Sequence, residues 1–156
     1  MKRHFVIVML IIMPSVLLGQ NYKYGLGVIL GSPTGLSGKF MIARKSAIAV
    51  HAGWSLIGKT GLHITGDYQF LFPGIIKHED GTPMENVVPY FGVGGRFRFK
   101  EKENKDTDFH LGLRFGGGIE YLISRFGIFL ELYPVVDILP ETGFDFEGGV
   151  GGRFYF

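Results

Sequence analysis

The chain has no cysteine. That absence excludes a disulfide scaffold, a thiol nucleophile, a cysteine-ligated zinc site and a lipid-modified N-terminal cysteine. Long apolar runs are missing too. The longest, residues 5–18, falls short of the ~20 residues that cross a bilayer as a helix, so if the mature protein sits in a membrane, helices do not put it there. Net charge is the third absence. Of 16 Lys and Arg, Lys2 and Arg3 fall at the extreme N-terminus, leaving 14 against 14 Asp and Glu. Without a basic surplus there is no electrostatic case for nucleic-acid binding. Residues 1–19 read as a secretory signal peptide: Lys2, Arg3 and His4 open it, the apolar run comes next, and Gly19 offers a small residue for cleavage. The remaining residues, 20–156, are the size of one domain at roughly 100–200 residues per domain.

What the chain has in excess is glycine and aromatics, with 25 Gly, 15 Phe and 7 Tyr in 156 residues. There is no Gly-X-Y period. From Tyr22 onward the dominant period is two, the signature of a strand with two unlike faces. At the C-terminus Phe144, Phe146, Gly148, Val150, Gly152, Phe154 and Phe156 share one face, and Asp145, Glu147, Gly149, Gly151, Arg153 and Tyr155 the other. Eight such segments are expected, at about 22–31, 34–43, 47–57, 61–72, 88–99, 109–122, 125–135 and 144–156. Phe129 breaks the alternation of the seventh. Turn residues such as Gly31-Ser32-Pro33-Thr34-Gly35 join them. The longest connection, 73–87, comes after the fourth.

Which face is inside decides the fold. The polar face is crowded with glycine, including Gly25, Gly27, Gly92, Gly94, Gly116, Gly118, Gly149 and Gly151, and carries isolated charges of both signs. Glycine suits a crowded interior better than an exposed strand. The other face is bulky and aromatic throughout. The expected fold is therefore all-β: an eight-stranded, antiparallel, up-and-down transmembrane β-barrel, with aliphatic and aromatic residues outside and polar ones in the lumen. A soluble lipocalin-like barrel is the rival. With the chain starting in the periplasm, one end carries Tyr24, Phe70, Phe72, Phe91, Tyr121, Phe126, Phe154 and Phe156, a periplasmic aromatic girdle at the membrane interface. The other end carries Trp54, Phe97, Phe99, Phe109, Phe144 and Phe146.

The expected lumen network is Lys39, His51, Ser55, His63, Asp67, Arg96, Arg98, Arg114, Glu120, Glu131, Asp145, Glu147 and Arg153, joined by Arg125. Eight strands enclose a space that side chains fill, and buried charge must be paired. These residues therefore read as an internal ion-pair plug, with Arg114 and Glu131 as diagonal neighbours. A hairpin between the third and fourth strands with indices summing to 118 would set Ser55 opposite His63 and His51 opposite Asp67. Those types invite a Ser-His-Asp reading, but Ser55 and His51 stand about 13 Å apart along one strand, too far to relay one proton. No catalytic, metal or cofactor residues are assigned. His78-Glu79-Asp80 reads as a solvated loop. Leu139-Pro140-Glu141-Thr142-Gly143 matches a sortase pentapeptide, but it leads into the alternating strand 144–156 and not into an apolar anchor.

The chain ends Gly151-Gly152-Arg153-Phe154-Tyr155-Phe156, which resembles the C-terminal insertion signal of bacterial outer-membrane proteins: Gly151, then aromatic Phe154, then terminal Phe156. The first hairpin, residues 25–39, with Ala52-Gly53-Trp54-Ser55 and His63, Asp67 and Tyr68, resembles a family of small, functionally uncharacterised outer-membrane barrels, OmpA/OmpX-like in architecture. The resemblance implies a Gram-negative outer-membrane location, membrane lipids and the barrel-assembly machinery as partners, and no catalytic residue. The expected role is structural or surface-interaction, with a lipid-modifying enzyme or a narrow channel as alternatives.

Targeting and packing separate at the C-terminus. Ile128→Ala, outward and outside the signal in sequence, should lose only apolar contact, about 1–3 kcal/mol, and still assemble in cells. Deleting Phe156 should also slow assembly, with unfolded protein accumulating in the periplasm. Pulse–chase of folded and unfolded forms reads the difference, and equal assembly rates would reduce Phe156 to a packing residue.

Overall fold

The computed structural model describes residues 22–54, 61–101 and 107–156; the leader 1–19 lies outside them. The strands are β1 (Tyr24–Ser32), β2 (Gly35–Ala43), β3 (Ser46–Trp54), β4 (Leu62–Leu71), β5 (Val87–Glu101), β6 (Thr107–Ile123), β7 (Phe126–Leu139) and β8 (Gly143–Tyr155). Each pairs antiparallel with the next, and β8 returns to β1, so the sheet is a closed eight-stranded barrel. Closure removes the unpaired edges that an open sheet would present. β5, β6 and β7 run further than the expected segments because their alternation continues: Val136 and Ile138 extend β7 beyond 135.

The register fixes the strand tilt. From Gly25, successive partners are Lys39, Ala49, Asp67, Gly94, Arg114, Val135 and Asp145. Gly25's other partner is Tyr155, so one circuit is displaced by 155 − 145 = 10 residues along β8. With strands ~4.8 Å apart and a rise of ~3.3 Å per residue, that shear sets a tilt of about 41°.

The faces divide as expected. Leu26, Val28, Leu30, Leu113, Leu130 and Leu132 project outward and are exposed, while Lys39, His51, Arg96, Arg114, Glu131 and Arg153 project inward and are buried. Every residue of the expected girdle is on the outer surface, at the end where the Tyr24 N–H donates to the Phe156 carbonyl. Tyr24 packs edge-on against Phe40 (5.8 Å) and Phe126 against Phe154 (5.1 Å). Trp54, Phe97, Phe99, Phe109, Phe144 and Phe146 are exposed toward the other end.

Four aromatic side chains turn inward instead, and glycines make room for them. Phe129, Tyr90, Tyr133 and Tyr155 are buried. A Cβ on Gly151 would strike the Phe129 ring, one on Gly118 the Tyr90 ring, one on Gly92 the Tyr133 hydroxyl, and one on Gly25 or Gly127 the Tyr155 ring. The glycine-rich inner face is thus the complement of its large side chains. Phe129 breaks the apolar pattern only because it keeps the phase of Glu131.

The connection after β4 is ordered. Lys77 bridges to Pro83, the His78 N–H donates to the Thr82 carbonyl, and the Met84 N–H donates to the Ile76 carbonyl. The Thr82 N–H and hydroxyl both donate to Asp80, holding its carboxyl below the usual range. This loop lies at the girdle end and adds no strand to the barrel.

A pair of valine substitutions tests the packing. A Cβ on Gly27 would collide with the Gly152 carbonyl oxygen, whereas one on Gly66 meets nothing within 4 Å. Gly27→Val should cost at least ~1–3 kcal/mol by overpacking and impair refolding in detergent, read as loss of the heat-sensitive gel shift. Gly66→Val should refold like the parent.

Candidate functional site

The lumen is the one place among the described residues where polar chemistry converges, and the inward phase of every strand supplies it. Near the girdle end, Lys39 Nζ on β2 meets Glu120 Oε2 on β6 at 2.6 Å. The Tyr155 hydroxyl donates to Glu120 Oε1 at 2.5 Å, and Arg153 approaches the same oxygen at 3.4 Å. Arg153 also donates from Nε to Ser37 Oγ at 2.8 Å, with its guanidinium 3.7 Å over the Phe129 ring. Such stacking suits a planar, weakly hydrated cation.

Glu131 on β7 lies at mid-height. It accepts from the Tyr90 hydroxyl at 2.9 Å and contacts His51 Nε2 at 3.2 Å and Arg114 at 3.6 Å. Arg114 links three carboxylates: its Nε is 2.9 Å from Asp67 and its NH1 2.9 Å from Glu147, besides Glu131. It also lies over the Tyr133 ring at 4.0 Å.

Toward the far end, the Glu147 carboxylate on β8 is the hub. Arg96 (2.6 Å), Arg98 (3.0 Å), Arg114 (2.9 Å) and His63 (2.9 Å) all reach it. Arg96 spans from Glu147 to Asp145 at 2.8 Å and to Asp137 at 2.5 Å. Arg98 and Asp145 are only partly enclosed, with side chains 21% and 44% exposed. At the girdle end the lumen widens into a pocket of ≈ 210 Å³ whose walls include Tyr22, Met41, Leu71, Val88 and Leu122 and whose charged lining includes Lys39 and Glu120.

These distances unite the expected network residues that are described; Ser55 lies outside the described residues. Three details of the expectation need correction. The β3–β4 register sums to 116, so His51 stands opposite Thr65 and Asp67 opposite Ala49. Period two fixes which face a residue occupies but is blind to a slip of two. His51 therefore meets Glu131, and Asp67 meets Arg114. Arg125 is not in the lumen: it sits in the turn between β6 and β7, stacked 5.0 Å from the Tyr22 ring and donating to its hydroxyl. Arg114 and Glu131 are not diagonal neighbours on the ladder: Arg114 stands opposite Val135, four residues from Glu131, and the two side chains still approach to 3.6 Å.

Asp137 and Tyr90 were missed, and Tyr133 and Tyr155, although set on the polar face, are absent from the expected network. Asp137 lies beyond the expected end of β7. The phase of Tyr133 with Glu131, and of Tyr155 with Arg153, was the available signal. Among the described residues, no group of three His, Asp or Glu side chains could hold a metal ion. The insertion-signal residues divide, with Phe154 and Phe156 outward and Gly151 against Phe129 within.

No protein-family model matches the chain, and no curated protein matches it. Among solved structures it is similar to the N-terminal β-barrel domain of OprF from Pseudomonas aeruginosa, with 16% identity, 85% of this chain and 95% of that chain covered, and a TM-score of 0.64. The likeness is one of fold, a closed eight-stranded antiparallel β-barrel.

The two acids at the far end should differ sharply. Glu147→Gln leaves several buried cations without their shared anion and should cost about 3–5 kcal/mol. Asp145→Asn, half-exposed, should cost less than about 1 kcal/mol. Urea unfolding in detergent micelles measures both, and equal losses would deny Glu147 its central place.

Proposed function

We propose that this chain is a small outer-membrane barrel protein of the Gram-negative type, exported by a cleaved signal peptide. In this reading its lumen is a structural plug, and its role is to stabilise the envelope or present its ends to other molecules. The observation that carries the reading is the cross-lumen network. Lys39 and Glu120 tie β2 to β6, His51 and Glu131 tie β3 to β7, and Arg96 and Glu147 tie β5 to β8. Conduction would require these contacts to part, and each separated charge would then lie in a narrow, poorly hydrated space. The outward aliphatic and aromatic belt supports the membrane location, because a soluble barrel would reverse the two faces. Membrane lipids and the barrel-assembly machinery are the partners this reading implies.

The enzyme alternative finds less support. His51 and His63 are engaged with Glu131 and Glu147 and face inward, away from where a lipid substrate would lie.

The experiment pairs planar-bilayer recording of the refolded protein with lipid A mass profiles of a deletion strain. The expected outcome is no steady conductance and an unchanged lipid A profile. Steady ion current would move the assignment to a channel, and an altered acylation pattern to a lipid-modifying enzyme.

A further inference from the structure

The outward apolar belt is uneven in height, and the unevenness is concentrated at one hairpin. At a tilt of about 41°, each residue climbs ~2.5 Å along the barrel axis, and each step to the next strand in chain order adds ~3 Å. On this scale the lowest outward residues of six strands, Tyr24, Ile42, Phe72, Ile123, Phe126 and Phe156, lie within about 4 Å of one level. The top does not match this base. On β1 the outward apolar residues run from Tyr24 to Leu30 and on β2 from Leu36 to Ile42, each about 15 Å of height. On β6 they run from Phe109 to Ile123, about 35 Å, and on β8 from Phe144 to Phe156, about 30 Å. An outer-membrane barrel normally presents a band ~25 Å tall. Rocking the barrel to level the top would lift one side of the girdle out of its interface by the same amount.

A membrane boundary that drops at this hairpin is matched by the strand edge beside the turn, not by the turn itself. The β1–β2 turn satisfies its own polar groups. The Gly31 N–H donates to Thr34 Oγ1 (3.0 Å), the Thr34 hydroxyl donates to the Gly31 carbonyl (2.8 Å), and the Thr34 carbonyl accepts from the Trp54 N–H (3.2 Å). Beside the turn, β8 outlasts its neighbour. Pairing with β1 stops at Ser32 and Gly148, so residues 143–147 have β7 on one side and no strand on the other among the described residues. The Phe146 N–H donates instead to the Asp145 carboxylate, at 2.8 Å. An open strand edge does not occur in hydrocarbon, where its backbone groups would go unsatisfied. On the same scale this edge lies about 20–30 Å above the base, across the top of a ~25 Å band, so its lower residues, 146 and 147, call for headgroups or water at a height where the outward residues of β6 and β7 are apolar.

We infer that the β1–β2 hairpin and the upper edge of β8 form a membrane-thinning surface, where the outer leaflet dips and lipid headgroups and water descend to the turn at Pro33 and Thr34. This rests on the outer-membrane reading above. Its partner is the lipid itself, bent down to meet a short wall, and the dip brings headgroups beside the partly exposed Asp145 and Arg98.

The cysteine-free chain permits a direct test. Leu36 on β2 and Leu132 on β7 both face outward, are each 59% exposed, and lie within about 1 Å of the same height. Leu36→Cys and Leu132→Cys are refolded, checked by gel shift, and inserted into phosphatidylcholine vesicles carrying eighteen-carbon chains. A charged, water-soluble maleimide is supplied on both sides of the membrane. Labelling at position 36 should exceed that at 132 by about tenfold or more, because water reaches only the thinned side. In detergent without a bilayer the two rates should converge. Equal rates in vesicles, whether fast or slow, would overturn the inference. A protected Leu36→Cys that instead forms disulfide-linked dimers would replace lipid with a second copy of the chain. Flotation with the vesicles separates the two levels of claim: protein that does not float removes the membrane reading itself, whereas protein that floats and labels equally removes only the thinning.

Discussion

An eight-stranded barrel leaves no room inside for a charge that is not paired, and the rest of this molecule is arranged around that constraint. Glu147 pairs with residues on β4, β5 and β6, and Arg114 reaches carboxylates on β4, β7 and β8. Apart from the Arg114–Glu131 pair, these contacts cross the lumen and tie together strands that the backbone ladder does not join. Buried ion pairs are not by themselves a large source of stability, because desolvation offsets much of their attraction. Their effect is specificity: a barrel of different register would separate these partners and leave charges buried alone.

The same narrow interior explains the glycine content. Arginine, tyrosine and phenylalanine side chains cannot fill one cross-section together unless facing positions carry none. Tyr155 lies over Gly25 and Gly127, Phe129 over Gly151, Tyr90 over Gly118, and Tyr133 over Gly92. Large and small alternate around the wall as well as along it, so the lumen is filled by shape before it is neutralised by charge.

A filled lumen shifts attention to the outside and the ends. Most of the outer wall is a uniform apolar surface, but the β1–β2 hairpin stops short while β8 beside it continues. The half-exposed Asp145 and Arg98 lie on that far side, where the ion-pair network approaches solvent. Interior and exterior are thus least separated above this hairpin.

Alternation in the sequence was enough to determine the number of strands, which face is inside, the outward aromatics at one end and most of the charged lumen. Each is a property of a residue's phase within its own strand, and phase is local. Partnership was not legible. His51 was set against Asp67 and meets Glu131; Asp67 meets Arg114; Asp137 joins Arg96 from beyond the expected end of β7. A slip of two residues leaves every side chain on its face, so no pattern within a strand can detect it. The ten-residue shear that brings residues level across the lumen exists only once β8 has closed on β1. Phase belongs to the chain, whereas register and cross-lumen contact belong to the closed barrel, and closure is where the tertiary structure decided what the sequence left open.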